Sequence, residues 1–113
     1  VSYGNMAVGY DKENYWLENT LKISPIEQVE FLKGIYNNEF NFNENNIKAV
    51  LNSINLSNNF YGKTGTGMVN NKTTNGWFIG IKDKYIFAVR IANDNNATGS
   101  TAYEIAEDIF SAL

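Results

Sequence analysis

Apolar side chains recur at helical spacing shortly after residue 20, which predicts a first helix. Ser24 has the residue type of an N-cap, Pro25 suits the first helical position, and Glu27 stands where it can return a hydrogen bond to the cap. We expect this helix to end near Asn37. Its predicted buried face consists of Ile26, Val29, Leu32, Ile35 and Tyr36.

Two more helices follow from the same spacing. One begins around Asn43 and is broken by the Ser-Asn-Asn run at 57–59, and the other is expected to start with a capping box at 101–104. We expect one stripe of each helix to face the core. The stripe of the second helix is Ile47, Val50, Leu51 and Ile54, and that of the last helix is Ala102, Ile105, Ala106, Ile109, Phe110 and Leu113.

Between these helices the pattern indicates strands. The segments 60–69, 76–82 and 85–92 are rich in β-branched and aromatic residues, and the polar residues at 70–75 are typical of a turn. The resulting order is a loop, two helices, three antiparallel strands and a last helix. This order predicts an α+β fold with helices packed on an antiparallel sheet.

Composition narrows the chemistry that the chain can carry. Its 113 residues suffice for one domain, and 43% hydrophobic residues suffice for a core. The net charge of −3 argues against nucleic acid as a partner. The absence of Cys and His excludes disulfides, thiol nucleophiles and Ser–His triads. We expect no metal and no other cofactor. Because the chain begins with Val1 rather than Met, we expect it to be part of a longer protein.

The most informative motif is Lys63-Thr64-Gly65 on the first predicted strand. It places an ammonium group and a hydroxyl beside a glycine, where a ligand can lie against the backbone. The tripeptide is one of three signatures of serine enzymes that recognise penicillin. Taken alone, it is also compatible with an exposed lysine beside a β-bulge.

The surrounding sequence resembles class D β-lactamases and the penicillin-sensing domains of BlaR/MecR receptors. The resemblance implies a partial β-lactamase/transpeptidase-like fold, with three strands present of a five-stranded parent sheet, in which residues 1–113 are the C-terminal part. Ordered motifs over nearly the whole chain are more specific than one tripeptide. They are Tyr-Gly-Asn at 3–5, the segments 15–18 and 21–30, the glycine-rich 61–67, and Asn-Gly-Trp-Phe-Ile-Gly at 75–80.

In that family a serine oxygen attacks the lactam carbonyl while backbone N–H groups hold the oxyanion. The resemblance implies that Lys63 anchors the carboxylate end of a β-lactam and supports proton transfer. It also implies that Thr64 hydrogen-bonds this carboxylate, that Gly65 lets the ligand lie against the strand, and that the backbone N–H of Thr66 is one oxyanion donor.

The resemblance assigns further roles near the start of the chain. Trp16 matches the position whose indole N–H hydrogen-bonds a carboxylated lysine, and Tyr3 and Asn5 are expected along the edge of the site. The alternative for Trp16 is an aromatic of the core or rim. The alternative for Tyr3 and Asn5 is a structural turn.

The nucleophile of the family is absent from this sequence. No serine is followed by lysine three positions later, so the S-x-x-K motif and its general base are missing. The stretch 98–101 has no basic residue for a ligand carboxylate. Arg90, on the last strand, can pair with a carboxylate on the sheet face and is not assigned to the ligand. The missing N-terminal half is therefore an expected partner, and strand 85–92, left at an edge without it, is expected to favour homo-oligomers.

These observations predict a fragment of a β-lactam binding domain that does not acylate alone, most like the extracellular sensor domain of a BlaR/MecR receptor. The parent is expected at the extracellular face of the cytoplasmic membrane or as a secreted protein. Three alternatives stay open: a fragment of a class D β-lactamase, a cell-wall transpeptidase acting on D-Ala-D-Ala peptides, and a non-catalytic interaction module. The expected partner is a β-lactam antibiotic rather than nucleic acid.

Overall fold

The computed structural model describes residues 3–6, 21–92 and 94–113. An antiparallel sheet with strand order β1-β2-β3-β4 is flanked by helices, which confirms the predicted α+β class. The elements in chain order are α1 (Pro25–Tyr36), α2 (Glu44–Ser53), β1 (Asn55–Ser57), β2 (Phe60–Val69), β3 (Lys72–Lys82), β4 (Tyr85–Ala92) and α3 (Gly99–Ser111).

The first two helices begin where the sequence predicts. The Ser24 hydroxyl accepts the N–H of Glu27 at 3.1 Å, and the Glu27 carboxylate accepts the N–H of Ser24 at 3.1 Å, so the predicted capping box is present. In α2, the Asn43 side chain accepts the N–H groups of Asn45 and Asn46. These caps satisfy backbone donors that a helix start would otherwise leave unpaired.

The last helix begins earlier than predicted. Its N-cap is Thr98, whose hydroxyl accepts the N–H of Thr101 at 3.2 Å, and the capping box expected at 101–104 is wrong. Thr101 lies in the first turn, where its N–H needs an acceptor, and Thr98 is the hydroxyl residue three positions before it. Thr98 and Thr101 both have the residue type of an N-cap, and the helix begins at Thr98.

The buried helix faces match the predicted stripes only in part. In α3 the most buried side chains are Ala102 and Ala106, whereas Ile109 is 51% exposed. The alanines, together with Tyr103 and Phe110, form the face of α3 that packs on the sheet. In α1, Leu32 is buried as expected, but Ile26 is 77% exposed. The buried face of α1 also includes the polar Gln28, which lies outside the predicted stripe.

The sheet is larger than the three strands predicted. A short strand, β1, pairs with the start of β2, and β3 begins at Lys72 rather than at residue 76. Asn70 and Asn71 both have positive φ, 52° and 62°, and together they close a two-residue hairpin turn. The turn therefore needs no residues beyond 71, and the rest of the predicted turn segment joins the strand ladder.

The strand register separates two faces of the sheet, because successive side chains alternate. Phe60, Phe78 and Phe87 lie on the face that packs against α3, where Tyr103 and Phe110 complete an aromatic cluster. The rings of Phe78 and Phe87 have centroids 5.1 Å apart, and those of Phe78 and Tyr103 are 5.0 Å apart. The opposite face carries Lys63, Trp77 and Arg90, among others.

Gly76 is required by a close backbone approach. A Cβ at this position would lie 2.3 Å from the carbonyl oxygen of Thr98, well inside any real contact. The loop before α3 therefore rests directly on β3. This contact places Gly99 beside β2, at the strand that carries the Lys-Thr-Gly motif.

The outer side of β4 carries no further strand among the described residues. The N–H of Gly62 donates a 2.8 Å hydrogen bond to the carbonyl oxygen of Ile54, so it points away from β3. Backbone N–H groups alternate in direction along each strand of an antiparallel ladder. The register therefore directs the N–H groups of Ala88 and Arg90 outward from β4. Within the described part of the chain, no backbone hydrogen bond links β4 to a segment outside the sheet. An edge of this kind is available for pairing with another chain.

We expect the chain to associate through this edge. Multi-angle light scattering over a concentration series should show a dimer, and Ala88→Pro should restore the monomer, because it removes an outward N–H without breaking a bond to β3. The Thr73→Ala variant, outside β4, is the control. A monomer at every concentration would contradict the expectation.

Candidate functional site

A cavity of about 310 Å³ opens on the face of the sheet opposite α3. Its walls come from β2, β3 and β4, from the segment before α1, from α1 and from the start of the chain. The residues that line it are Tyr3, Leu21, Lys22, Ile23, Gln28, Lys63, Thr64, Gly65, Thr66, Asn75, Trp77, Ile79 and Arg90. Tyr3 therefore lines the same cavity as the Lys-Thr-Gly strand.

Lys63 projects from β2 on the cavity face. Its ammonium group donates a hydrogen bond of 2.6 Å to the carbonyl oxygen of Thr64, and its side chain is exposed. The register pairs it with Ile79, so an apolar side chain lies beside the cation. This arrangement holds the ammonium at the border between the cavity and the free edge of β2.

The middle of β2 has a free backbone edge. β1 pairs only with Phe60 and Tyr61, and beyond them no described strand follows on that side. Because the N–H of Gly62 points to Ile54, the N–H groups of Thr64 and Thr66 point to the same open side. An extended ligand can therefore hydrogen-bond to this edge as an added strand would.

The side chains of Thr64 and Thr66 lie on the other face, toward α3. The hydroxyl of Thr66 accepts the N–H of Gly99 at 2.9 Å, and a Cβ on Gly99 would lie 2.8 Å from the Cβ of Thr64. The first residue of α3 is thus bonded to the strand that presents the free N–H groups. This contact with the start of α3 holds β2 in position from the α3 side of the sheet.

Gly65 leaves open space in front of β2. A Cβ at this position would meet no atom within 4 Å, whereas one at Gly62 would lie 2.6 Å from the ring of Phe78. Packing among the described residues therefore requires a glycine at Gly62 but not at Gly65. Among the described residues, the space above Gly65 belongs to the cavity and is open to a ligand.

Tyr3 reaches the cavity through contacts with α1. Its hydroxyl donates a 2.5 Å hydrogen bond to the side-chain oxygen of Gln28, and its ring meets Phe31 edge-on with centroids 4.9 Å apart. Gln28 is only 5% exposed. A buried amide needs a partner, so this pair ties the start of the chain to α1.

Asn5 lies in a turn and does not line the cavity. Its side-chain oxygen accepts the N–H of Lys22 at 2.9 Å, and its own N–H donates to the carbonyl of Lys22 at 2.8 Å. Gly4, the residue before Asn5, has φ +55°, and a Cβ there would lie 1.8 Å from the carbonyl oxygen of Lys22. The turn interpretation thus describes the place of Asn5. Trp16, the other predicted upstream residue, lies outside the described residues.

Four polar residues of this cavity were not assigned to the site from the sequence, namely Lys22, Gln28, Asn75 and Arg90. No role was predicted for Gln28, and Arg90 was not assigned to a ligand. The signal for Arg90 lies in the strand register, because Trp77 pairs with Gly65 on one side and with Arg90 on the other. A sequence shows this row only once both hairpins are correctly aligned.

The cavity has a positive charge balance. Its described lining includes Lys22, Lys63 and Arg90 but no carboxylate and no serine. Such a surface suits an anionic ligand and offers it backbone donors at the β2 edge. A nucleophilic serine would have to come from outside this lining.

The described residues include no group of His, Cys, Asp or Glu able to hold a metal ion. None of the described helices is long and apolar enough to cross a membrane.

Comparisons with known proteins agree with this description. Residues 3–111 match the family described as the penicillin binding protein transpeptidase domain. The chain is 41% identical to the methicillin resistance mecR1 protein of Staphylococcus aureus, over 100% of this chain and 20% of that protein. It is 42% identical to the regulatory protein BlaR1 of Bacillus licheniformis, over 96% and 19% respectively.

The fold has solved counterparts as well. The class D beta-lactamase BAT-2 superposes with a TM-score of 0.83 and 31% identity, covering 97% of this chain and 47% of that structure. The predicted partial β-lactamase-like fold is therefore confirmed. The chain spans about one fifth of the length of the two curated relatives and about half of the solved enzyme.

Proposed function

Because this chain belongs to the penicillin-binding protein transpeptidase domain family, we propose that it forms one wall of a β-lactam binding site. The observation that carries this proposal is the free edge of β2 beside a cationic cavity. A β-lactam has a carboxylate and a carbonyl near one another. The edge offers an ammonium group for the first and backbone N–H groups for the second.

In this proposal Lys63 binds the carboxylate end of the ligand and supports proton transfer. The Thr64 hydroxyl, on the opposite face of β2, hydrogen-bonds the same carboxylate across the free edge of the strand. The backbone N–H of Thr66 points to the open side of β2, where it can hold the developing oxyanion. The open space at Gly65 admits the ligand. Each group acts on charge that the ligand either carries or develops as the lactam opens.

The acylated serine belongs to a segment outside this chain. The parent, by this proposal, is a sensor like the mecR1 and BlaR1 relatives, with this domain on the extracellular face of the cytoplasmic membrane. The second candidate is a secreted class D β-lactamase, which the similarity to BAT-2 favours. The two differ in the rate of acyl-serine hydrolysis, so burst kinetics on the complete domain separates them.

The chain alone should form no covalent adduct with benzylpenicillin. The expected result in intact-protein mass spectrometry is the unmodified mass after prolonged incubation, because none of its serines belongs to an S-x-x-K motif. A serine β-lactamase treated in parallel is the positive control. A stoichiometric adduct on this chain would overturn the assignment of the nucleophile.

Gly65→Ala should separate ligand binding from folding. We expect about a tenfold loss of benzylpenicillin affinity in an NMR titration of the β2 amide signals, since the methyl group occupies the ligand's space. Stability to urea should be unchanged or up to about 1 kcal/mol higher, because nothing clashes and the unfolded chain loses freedom. Met68→Ala, on the same strand, is the control. Equal affinity of Gly65→Ala and wild type would argue against a ligand over β2.

A further inference from the structure

Arg90 lies across the cavity from the Lys-Thr-Gly strand. The register aligns Gly65 of β2 with Trp77 of β3, and Trp77 with Arg90 of β4. Neighbouring strands lie 4.7–4.9 Å apart, so the backbone of Arg90 is about 10 Å from that of Gly65. A ligand that bridges this row contacts the side chains of all three strands.

Uncharged neighbours orient the Arg90 guanidinium. One Nη donates a hydrogen bond to the side-chain oxygen of Asn75, and the guanidinium carbon lies 5.8 Å from the centre of the Trp77 ring. Neither neighbour neutralises the charge. A guanidinium has five N–H donors in a planar fork, which matches the two oxygens of a carboxylate.

The floor between Lys63 and Arg90 is mostly apolar. It consists of Trp77, Ile79 and the bare backbone at Gly65. A ligand lying there meets a cation at each end and an apolar surface between them. With no carboxylate among the described lining residues, neither cation has an acidic partner within the cavity wall.

Resting on the proposed function, in which Lys63 takes the ring carboxylate, we propose that Arg90, Asn75 and Trp77 form a second subsite for a carboxylate on the acyl side chain of the β-lactam. Arg90 binds this second anion, Asn75 holds the guanidinium in place, and Trp77 packs against the side chain. The preferred ligands are β-lactams with two negative charges.

Two penicillins that differ by one carboxylate test this subsite. Benzylpenicillin and α-carboxybenzylpenicillin are titrated into the chain as it stands, while NMR follows the amides of 63–66, the Trp77 indole N–H and the Arg90 Nε–H. Trp16→Phe assigns the two indole signals. We expect both compounds to shift the 63–66 amides. Only the dianion should shift the Trp77 and Arg90 signals, and it should bind about fivefold tighter, the upper range for an exposed ion pair.

Variants of Arg90 decide the outcome. Arg90→Gln should abolish the fivefold preference and leave benzylpenicillin affinity unchanged, Arg90→Lys should keep part of it, and added salt should reduce it in the wild type. Equal affinities for the two penicillins, or a preference that survives Arg90→Gln, would overturn the subsite. If Trp77 and Arg90 respond while 63–66 do not, the subsite holds and the proposed function fails. If no signal responds, both are wrong.

Discussion

Joined to a serine-bearing N-terminal half, this chain will be acylated by penicillin, and Lys63→Ala will slow that acylation by about 10²–10³-fold. That half can be taken from a relative whose own sequence contains an S-x-x-K motif before the matched region. Lys63 lies where the free β2 edge meets the cavity. In the proposed function, its removal therefore withdraws the ammonium group from the ligand carboxylate and from proton transfer. The measurement is the second-order acylation rate with a fluorescent penicillin.

Lys72→Ala is the matched control for this experiment. Lys72 is also exposed on the sheet, at the start of β3, but it does not line the cavity, so its loss should leave the rate within about twofold. Urea unfolding of both variants verifies that the fold is intact. Acylation of Lys63→Ala at the wild-type rate would remove the lysine from the proposed mechanism.

Phe78→Ala will destabilise the chain by about 3–5 kcal/mol. Phe78 is 1% exposed and lies at the centre of the aromatic cluster, between the sheet and α3. Its truncation leaves a cavity that neighbouring rings cannot fill. Because small domains are stable by about 5–15 kcal/mol, this is a large part of the total and should appear as a much lower urea midpoint.

The companion variant Phe42→Ala should cost less than about 1 kcal/mol, since Phe42 is 42% exposed and packs on Phe40 at the surface. Circular dichroism and Trp fluorescence together report whether each variant unfolds in one step. Similar losses at both positions would show that the cluster around Phe78 does not stabilise the fold as described.

Local signals in the sequence predict local structure well in this chain. The capping box at Ser24 and Glu27 determines the start of α1, and the bounds of β2 follow from its composition and the Asn-rich turns around it. These features depend on neighbouring residues alone. The start of α3 was missed because Thr98 and Thr101 both fit a cap, and only the contact of Thr98 with Gly76 favours the first.

The site was partly predictable for the same reason. Lys63, Thr64 and Gly65 form a contiguous motif that a sequence displays directly. Gln28 and Arg90 reach the cavity only through the packing of α1 and the register of β3 with β4. The burial of Gln28 reverses the usual preference of a polar side chain, and the Tyr3 hydroxyl that compensates it is 25 residues away in sequence.

The hydrogen bond between the Thr66 hydroxyl and the N–H of Gly99 joins the front of the sheet to its back. The same residue presents a backbone N–H to the open edge and anchors the first turn of α3. A ligand that displaces the backbone of Thr66 therefore also displaces the start of α3 through this hydrogen bond. In the proposed sensor parent, this bond couples the ligand-binding edge of β2 to α3, and α3 is the element that would carry a displacement away from the ligand.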